Sequence, residues 1–100
     1  MNNLYEKSGS DMIRELGAKY AVYRKRMGFT QKAVAEQSGL SIFTISSFEN
    51  GSSTGITLAS FIKLLRAIEM LEEIEKLLPE FPESPRLLFK KLAKKWKQMQ

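Results

Sequence analysis

The chain has 100 residues, 16 Lys+Arg against 11 Asp+Glu and neither His nor Cys, so one domain's worth of sequence carries a formal charge of +5. Without imidazole or thiol it has no Ser-His-Asp triad, cysteine nucleophile, disulfide or zinc site with His or Cys ligands, which removes most hydrolase and metalloenzyme readings. No run of about 18 apolar residues offers a membrane span and the start, MNNLYEKSGSDMIRE, is too polar for a secretory signal; the expectation is a cytoplasmic protein with no catalytic residue, metal or cofactor.

Residues 1–11 are expected to form a flexible N-terminal segment. Beyond them Ile13, Leu16, Tyr20, Tyr23 and Met27 recur at steps of three and four, the stripe of an amphipathic helix over about 12–27 that faces a core. Gly28 ends it in a left-handed conformation, and Thr30 stands as the N-cap of a second helix, about 31–38. Val34 and Ala35 keep the inward side of that helix small, so the next helix crosses at close range after a glycine turn at Gly39, which Leu40 plugs from inside. Ser41 caps a third helix, about 42–49, with Ile45 and Phe48 inward and Asn50-Gly51 as its stop.

Thr57 caps a fourth helix, about 58–69, with the stripe Leu58, Phe61, Ile62, Leu65 and Ile68. Leu71, Ile74, Leu77 and Leu78 keep helical spacing, so a short fifth helix is expected to cover the core until Pro79. Residues 12–78 then form one domain, residues 79–85 (PEFPESP) a stiff proline-rich linker, and residues 86–100 a basic amphipathic tail with Leu88, Phe89, Leu92, Trp96 and Met99 on one stripe. No strand alternation competes, and the fold class is all-α.

Charge is distributed unevenly over these parts. Residues 1–66 hold nine Lys/Arg and five Asp/Glu, residues 67–85 hold one Lys and six Glu, and residues 86–100 hold six Lys/Arg and no acid. A basic body, an acidic neck and a basic tail follow, and a basic body suits a polyanion, whose condensed counterions each contact releases. The Glu72, Glu73 and Glu75 cluster is expected to be a solvated face. Docking of the tail on the neck, in the same chain or a second one, is favoured by the opposite charges.

Two short helices joined by a glycine-containing turn and crossing through small residues make a helix-turn-helix unit. Its second helix stands proud of the body and enters a DNA major groove while the first lies across the phosphates. With Ile45 and Phe48 inward, the outward residues of the reader are expected to be Ile42, Phe43, Thr44, Ser46 and Ser47. The competing reading of residues 30–51 is the same fold meeting protein, through exposed Ile42 and Phe43.

The stretch RKRMGFTQKAVAEQSGLSIFTISSFENG resembles the lambda-repressor-like helix-turn-helix family of XRE or Cro type, keeping Arg24, Gly28, Thr30, Gln31, Ala35, Gly39, Ser41, Thr44, Ile45, Ser46, Glu49, Asn50 and Gly51 in spacing. The resemblance implies a five-helix DNA-binding domain, here followed by a proline hinge and a basic C-terminal helix. It implies base reading by Ile42, Phe43, Ser46 and Ser47, phosphate contacts from Gln31, Ser41, Thr44, Asn50, Lys25 and Lys32, and a supporting Arg24–Glu49 pair that sets the angle of the reader. The reader lacks the Arg, Gln or Lys that family members usually carry at base-facing positions, so an A/T-leaning operator read partly through DNA shape is expected. Ala33 stands where the family often has an acid, so the second helix lacks its capping box.

The function implied is a double-stranded DNA-binding transcription regulator, a repressor binding a palindromic operator as a homodimer. The neck and tail also resemble those of HipB-type antitoxins, which implies as an alternative an autoregulator that neutralises a partner toxin through residues 86–100.

Overall fold

The computed structural model describes residues 3–78, 80 and 85–99. Among them five α-helices follow one another with no strand: α1 (Gly9–Arg26), α2 (Gln31–Ser38), α3 (Ile42–Asn50), α4 (Leu58–Ala67) and α5 (Pro85–Met99), with 3-10 turns at Leu4–Glu6 and Leu71–Lys76. Of the linker expected at 79–85, only Glu80 and Pro85 lie within the described residues.

Side-chain caps decide where the helices of the body begin. The hydroxyls of Ser8, Thr30, Ser41 and Thr57 each accept from the backbone N–H three residues on, at 3.0 Å, taking up a donor that has no partner within the helix. Ser8 starts α1 at Gly9, earlier than the apolar stripe alone indicates, because a cap acts before the first core-facing residue. Regular structure therefore reaches into the segment expected to be an arm, where Lys7 also pairs with Glu15 at 2.8 Å.

α1 ends at Gly28 (φ +85°), with Phe29 N–H donating to Arg24 O at 3.0 Å and Gly28 N–H to Lys25 O at 3.0 Å. This double bond pattern reverses the chain after a left-handed residue. α4 ends by the same device two residues earlier than expected, with Glu69 in the left-handed position (φ +62°) and Met70 N–H donating to Leu65 O at 2.9 Å. No glycine marks that stop, so composition does not reveal it. The expected fifth helix of the body is the 3-10 turn Leu71–Lys76. Ile74 packs on the core from it, whereas Leu77 and Leu78 are exposed.

The core is formed by Tyr20 of α1, Val34 of α2, Ile45 and Phe48 of α3, and Phe61, Leu64, Leu65, Ala67 and Ile68 on and just after α4. Phe48 is its centre, 5.9 Å from the Tyr20 ring and 6.0 Å from Phe61, the latter edge-on. Along α1 the buried line is Gly17, Tyr20 and Arg24, with Ile13 partly covered, while Leu16, Tyr23 and Met27 stand on the rim. The expected stripe is thus rotated. The cause is Gly17: a side-chain carbon there would lie 1.9 Å from Phe48 O, so α1 and α3 touch backbone to backbone along that line. In α4, Leu58 is exposed and Leu64, outside the expected stripe, is fully buried.

Tyr20 reaches through the core to donate its hydroxyl to Leu64 O at 2.8 Å, so its oxygen is buried. Burial, reinforced by Glu49, raises the Tyr20 phenol above its ordinary value, with Arg24 acting in the opposite direction. Among the described residues α5 packs against none of the other helices. No described helix is long and apolar enough to cross a membrane.

Candidate nucleic-acid interface

α2, the turn and α3 are set by short-range chemistry. Gly39 (φ +76°) ends α2, Leu40 N–H donates to the Ser38 hydroxyl at 3.1 Å, and Ser41 opens α3 two residues later. Gly51 (φ +80°) closes α3, and Asn50 Oδ1 accepts from Ser52 N–H at 2.8 Å in a turn just beyond it. The pair is held from inside by fully buried Val34 and Ile45.

At about 3.6 residues per turn, burying Ile45 and Phe48 leaves an outer arc that carries Ile42, Phe43, Ser46 and Asn50. Phe43 is 78% exposed and Ile42 48%, while Ser46 is half-buried and donates to Phe43 O at 3.4 Å. Ser47, four residues after Phe43 and three before Asn50, falls on this arc by spacing but is covered. Only 5% exposed, it lies beneath the loop after α3, where Ser53 N–H donates to Ser47 O at 3.2 Å. The outward position expected for Ser47 is corrected by that loop, which folds back over a helix flank that periodicity alone leaves open. Thr44 is also partly covered, its hydroxyl 2.9 Å from the Ser41 hydroxyl.

Behind the reader lies a buried ionic cluster. Arg24 donates from Nε to Glu49 Oε2 at 2.6 Å and from Nη2 to Glu49 Oε1 at 2.8 Å, a two-pronged pair. Arg24 Nη1 adds a bond to Phe29 O at 2.9 Å, so one side chain ties the end of α1, the start of the turn and the last turn of α3. Glu49's hydrogen bond raises the Arg24 guanidinium pKa above its already high ordinary value, outweighing the burial that opposes it. Arg24 has little charge left to offer a phosphate.

Gln31 enters the same cluster, a link the sequence reading missed. Its Nε2 donates to Glu49 Oε1 at 3.1 Å, leaving the second amide proton and the backbone at the start of α2 for another acceptor. Arg14 was missed as well; its Nε donates to Gly51 O at 3.3 Å and supports the end of α3 from α1. Both links connect segments far apart in sequence, and neither residue carries a local signal for them. Lys25, Lys32, Ser41 and Asn50 are exposed, around a reader whose buried charges neutralise each other.

A short helix locked by a glycine turn onto its predecessor, with its outer side chains held clear of the core, defines a helix-turn-helix DNA-binding protein. A helix-turn-helix family model matches residues 22–73, more than half the chain and all of α2 and α3. The chain belongs to that family, of the lambda-repressor-like XRE type, and is a DNA-binding transcription regulator. Comparison with curated proteins and with solved structures finds no match.

Proposed function

We propose that this protein is a cytoplasmic repressor that binds a palindromic operator as a homodimer. The observation that carries the reading is the outer arc of α3, where an exposed Phe43 and Ile42 stand over a reader braced by Arg24, Glu49 and Phe29 O. Ile42 and Phe43 meet thymine methyls, and Ser46 donates or accepts at a base edge. Gln31, Ser41, Thr44, Asn50, Lys25 and Lys32 hold phosphates, with Gln31 coupling its phosphate to the Glu49 carboxylate that sets the helix angle. Such contacts favour A/T-rich half-sites.

One such module buries roughly 600 to 1,000 Å² on DNA, so tight specific binding calls for two, with half-sites about one helical turn apart. The experiment is selection from random duplex DNA by the full chain at about 0.15 M salt, where nonspecific phosphate contacts are weakened. An enriched A/T-leaning palindrome supports the reading. Weak, salt-sensitive binding without enrichment refutes it and favours the reading in which exposed Ile42 and Phe43 meet protein.

A further inference from the structure

The side chains of α5 are sorted by chemistry around the helix axis. At about 100° per residue, Phe89, Leu92 and Trp96 fall within about 60° of one another, and none of Arg86, Lys90, Lys94, Lys95 and Lys97 comes closer than about 60° to the edges of that arc. Arg86 and Lys97 flank the arc on one side and Lys95 on the other. The three apolar side chains are exposed, Phe89 by 72% and Trp96 by 62%, and so are the five cations. Residues 86–100 contain no acid. At 15 residues the helix is about 22 Å long, short of the roughly 30 Å hydrocarbon layer of a bilayer, so it has the length to lie along a membrane and not to cross one.

We propose that α5 lies on an anionic lipid surface, with Phe89, Leu92 and Trp96 sunk to the boundary of headgroups and acyl chains and its cations among the phosphates. Two requirements select this occupant. The apolar arc needs a nonpolar medium, and the cations need dense negative charge beside it. A bilayer of anionic lipid supplies both within the roughly 5–10 Å to which an amphipathic helix sinks. Cations on both flanks suit a planar surface, because Lys and Arg stems run along apolar material and lift their charged ends to headgroups on either side of the buried strip. Tryptophan is likewise a residue of the headgroup level. A DNA duplex would neutralise the cations but leave three large apolar side chains in water. The reader helices contribute no residue to this surface, so it is separate from the one assigned to DNA.

The inference goes beyond the repressor reading and does not rest on it. The full chain is mixed, at about 0.15 M salt, with vesicles of phosphatidylcholine alone or of phosphatidylcholine with phosphatidylglycerol. Co-sedimentation and the emission of Trp96, the sole tryptophan, report binding. The protein should bind the anionic vesicles with a shift of its emission to shorter wavelength, and the neutral ones about tenfold more weakly or less. Leu92→Asp should weaken anionic binding by about tenfold or more, since it carries a charge into the apolar layer. Lys90→Gln with Lys94→Gln, which keeps helix propensity, should weaken it by about 30-fold, from about fivefold per cation near the surface. Binding with Trp96 still solvated, or unchanged in Leu92→Asp, would mean that the basic body adsorbs by charge alone and would overturn the proposal. So would equal affinity for neutral vesicles or no vesicle binding at all. In the latter case, a salt slope of duplex binding lowered by about 2 in the double Lys variant would place α5 on DNA phosphates instead. Emission already at short wavelength without vesicles would place Trp96 in a protein contact, and would equally remove the lipid surface as the occupant.

Discussion

Gly17→Ala is the sharpest test of how the reader is mounted. In an unhindered helix interior this change stabilises by about 1 kcal/mol. Here the new carbon would fall 1.9 Å from Phe48 O and 2.8 Å from Phe48 C, both backbone atoms that no rotamer change removes. A favourable C···O approach is about 3.3 Å, so α1 and α3 must part by roughly 1.4 Å. A gap of that order forfeits a large part of the dispersion contact along the seam, including the Tyr20–Phe48 ring pair. Overpacking costs about 3 kcal/mol at the upper end of its usual range, so after the helix gain the net loss is about 2 kcal/mol. For a domain of this size that lowers Tm by roughly 8–16 °C. Thermal unfolding followed by circular dichroism measures it, with Gly9→Ala, which meets nothing within 4 Å, as the neutral control. A Gly17→Ala protein as stable as the parent would refute the backbone-to-backbone crossing.

Removing either partner of the buried pair, by Arg24→Ala or Glu49→Ala, should cost about 3–5 kcal/mol in urea unfolding. The double replacement Arg24→Met, Glu49→Leu should cost less than either, since no uncompensated charge remains; a worse double variant would contradict the packing. Because the Tyr20 phenol is raised in the folded state, its contribution is fully present below the unfolded pKa of about 10 and is lost as pH rises beyond that value toward the folded one. Tyr20→Phe should therefore flatten the fall of the urea midpoint between roughly pH 9.5 and 11, and an unchanged slope would count against the buried hydroxyl. On DNA, Lys25→Ala should weaken all sequences alike and reduce the salt slope by about 1, whereas Phe43→Ala should change base preference at one position per half-site. A uniform loss from Phe43→Ala would mean that it does not read bases.

The helix-turn-helix was legible because its signals are local. Thr30, Ser41 and the glycines at 39 and 51 act through bonds that span at most four residues, so α2 and α3 begin where the sequence places them and end within a residue of it. The Arg24–Glu49 pair was legible only through the family resemblance, since nothing about an Arg and a Glu 25 positions apart announces a bond. Where a helix end depended on a non-glycine residue, as at Glu69, the boundary was misplaced. Where a short acidic segment had helical spacing, at 71–76, its 3-10 form was not foreseen.

The sequence by itself determined the all-helical class, the reader helix and the division into basic body, acidic neck and basic tail, because caps, periodicity and charge are properties of neighbouring residues. Which side of each helix is buried was decided by tertiary structure. Gly17 against Phe48 rotates the buried line of α1, and Tyr20 reaches a carbonyl 44 positions away. The loop through Ser53 closes over Ser47 and removes it from the exposed face of α3. Each outcome depends on the distance between segments that no local pattern encodes, and helix periodicity can place a residue on a flank without saying what will cover it.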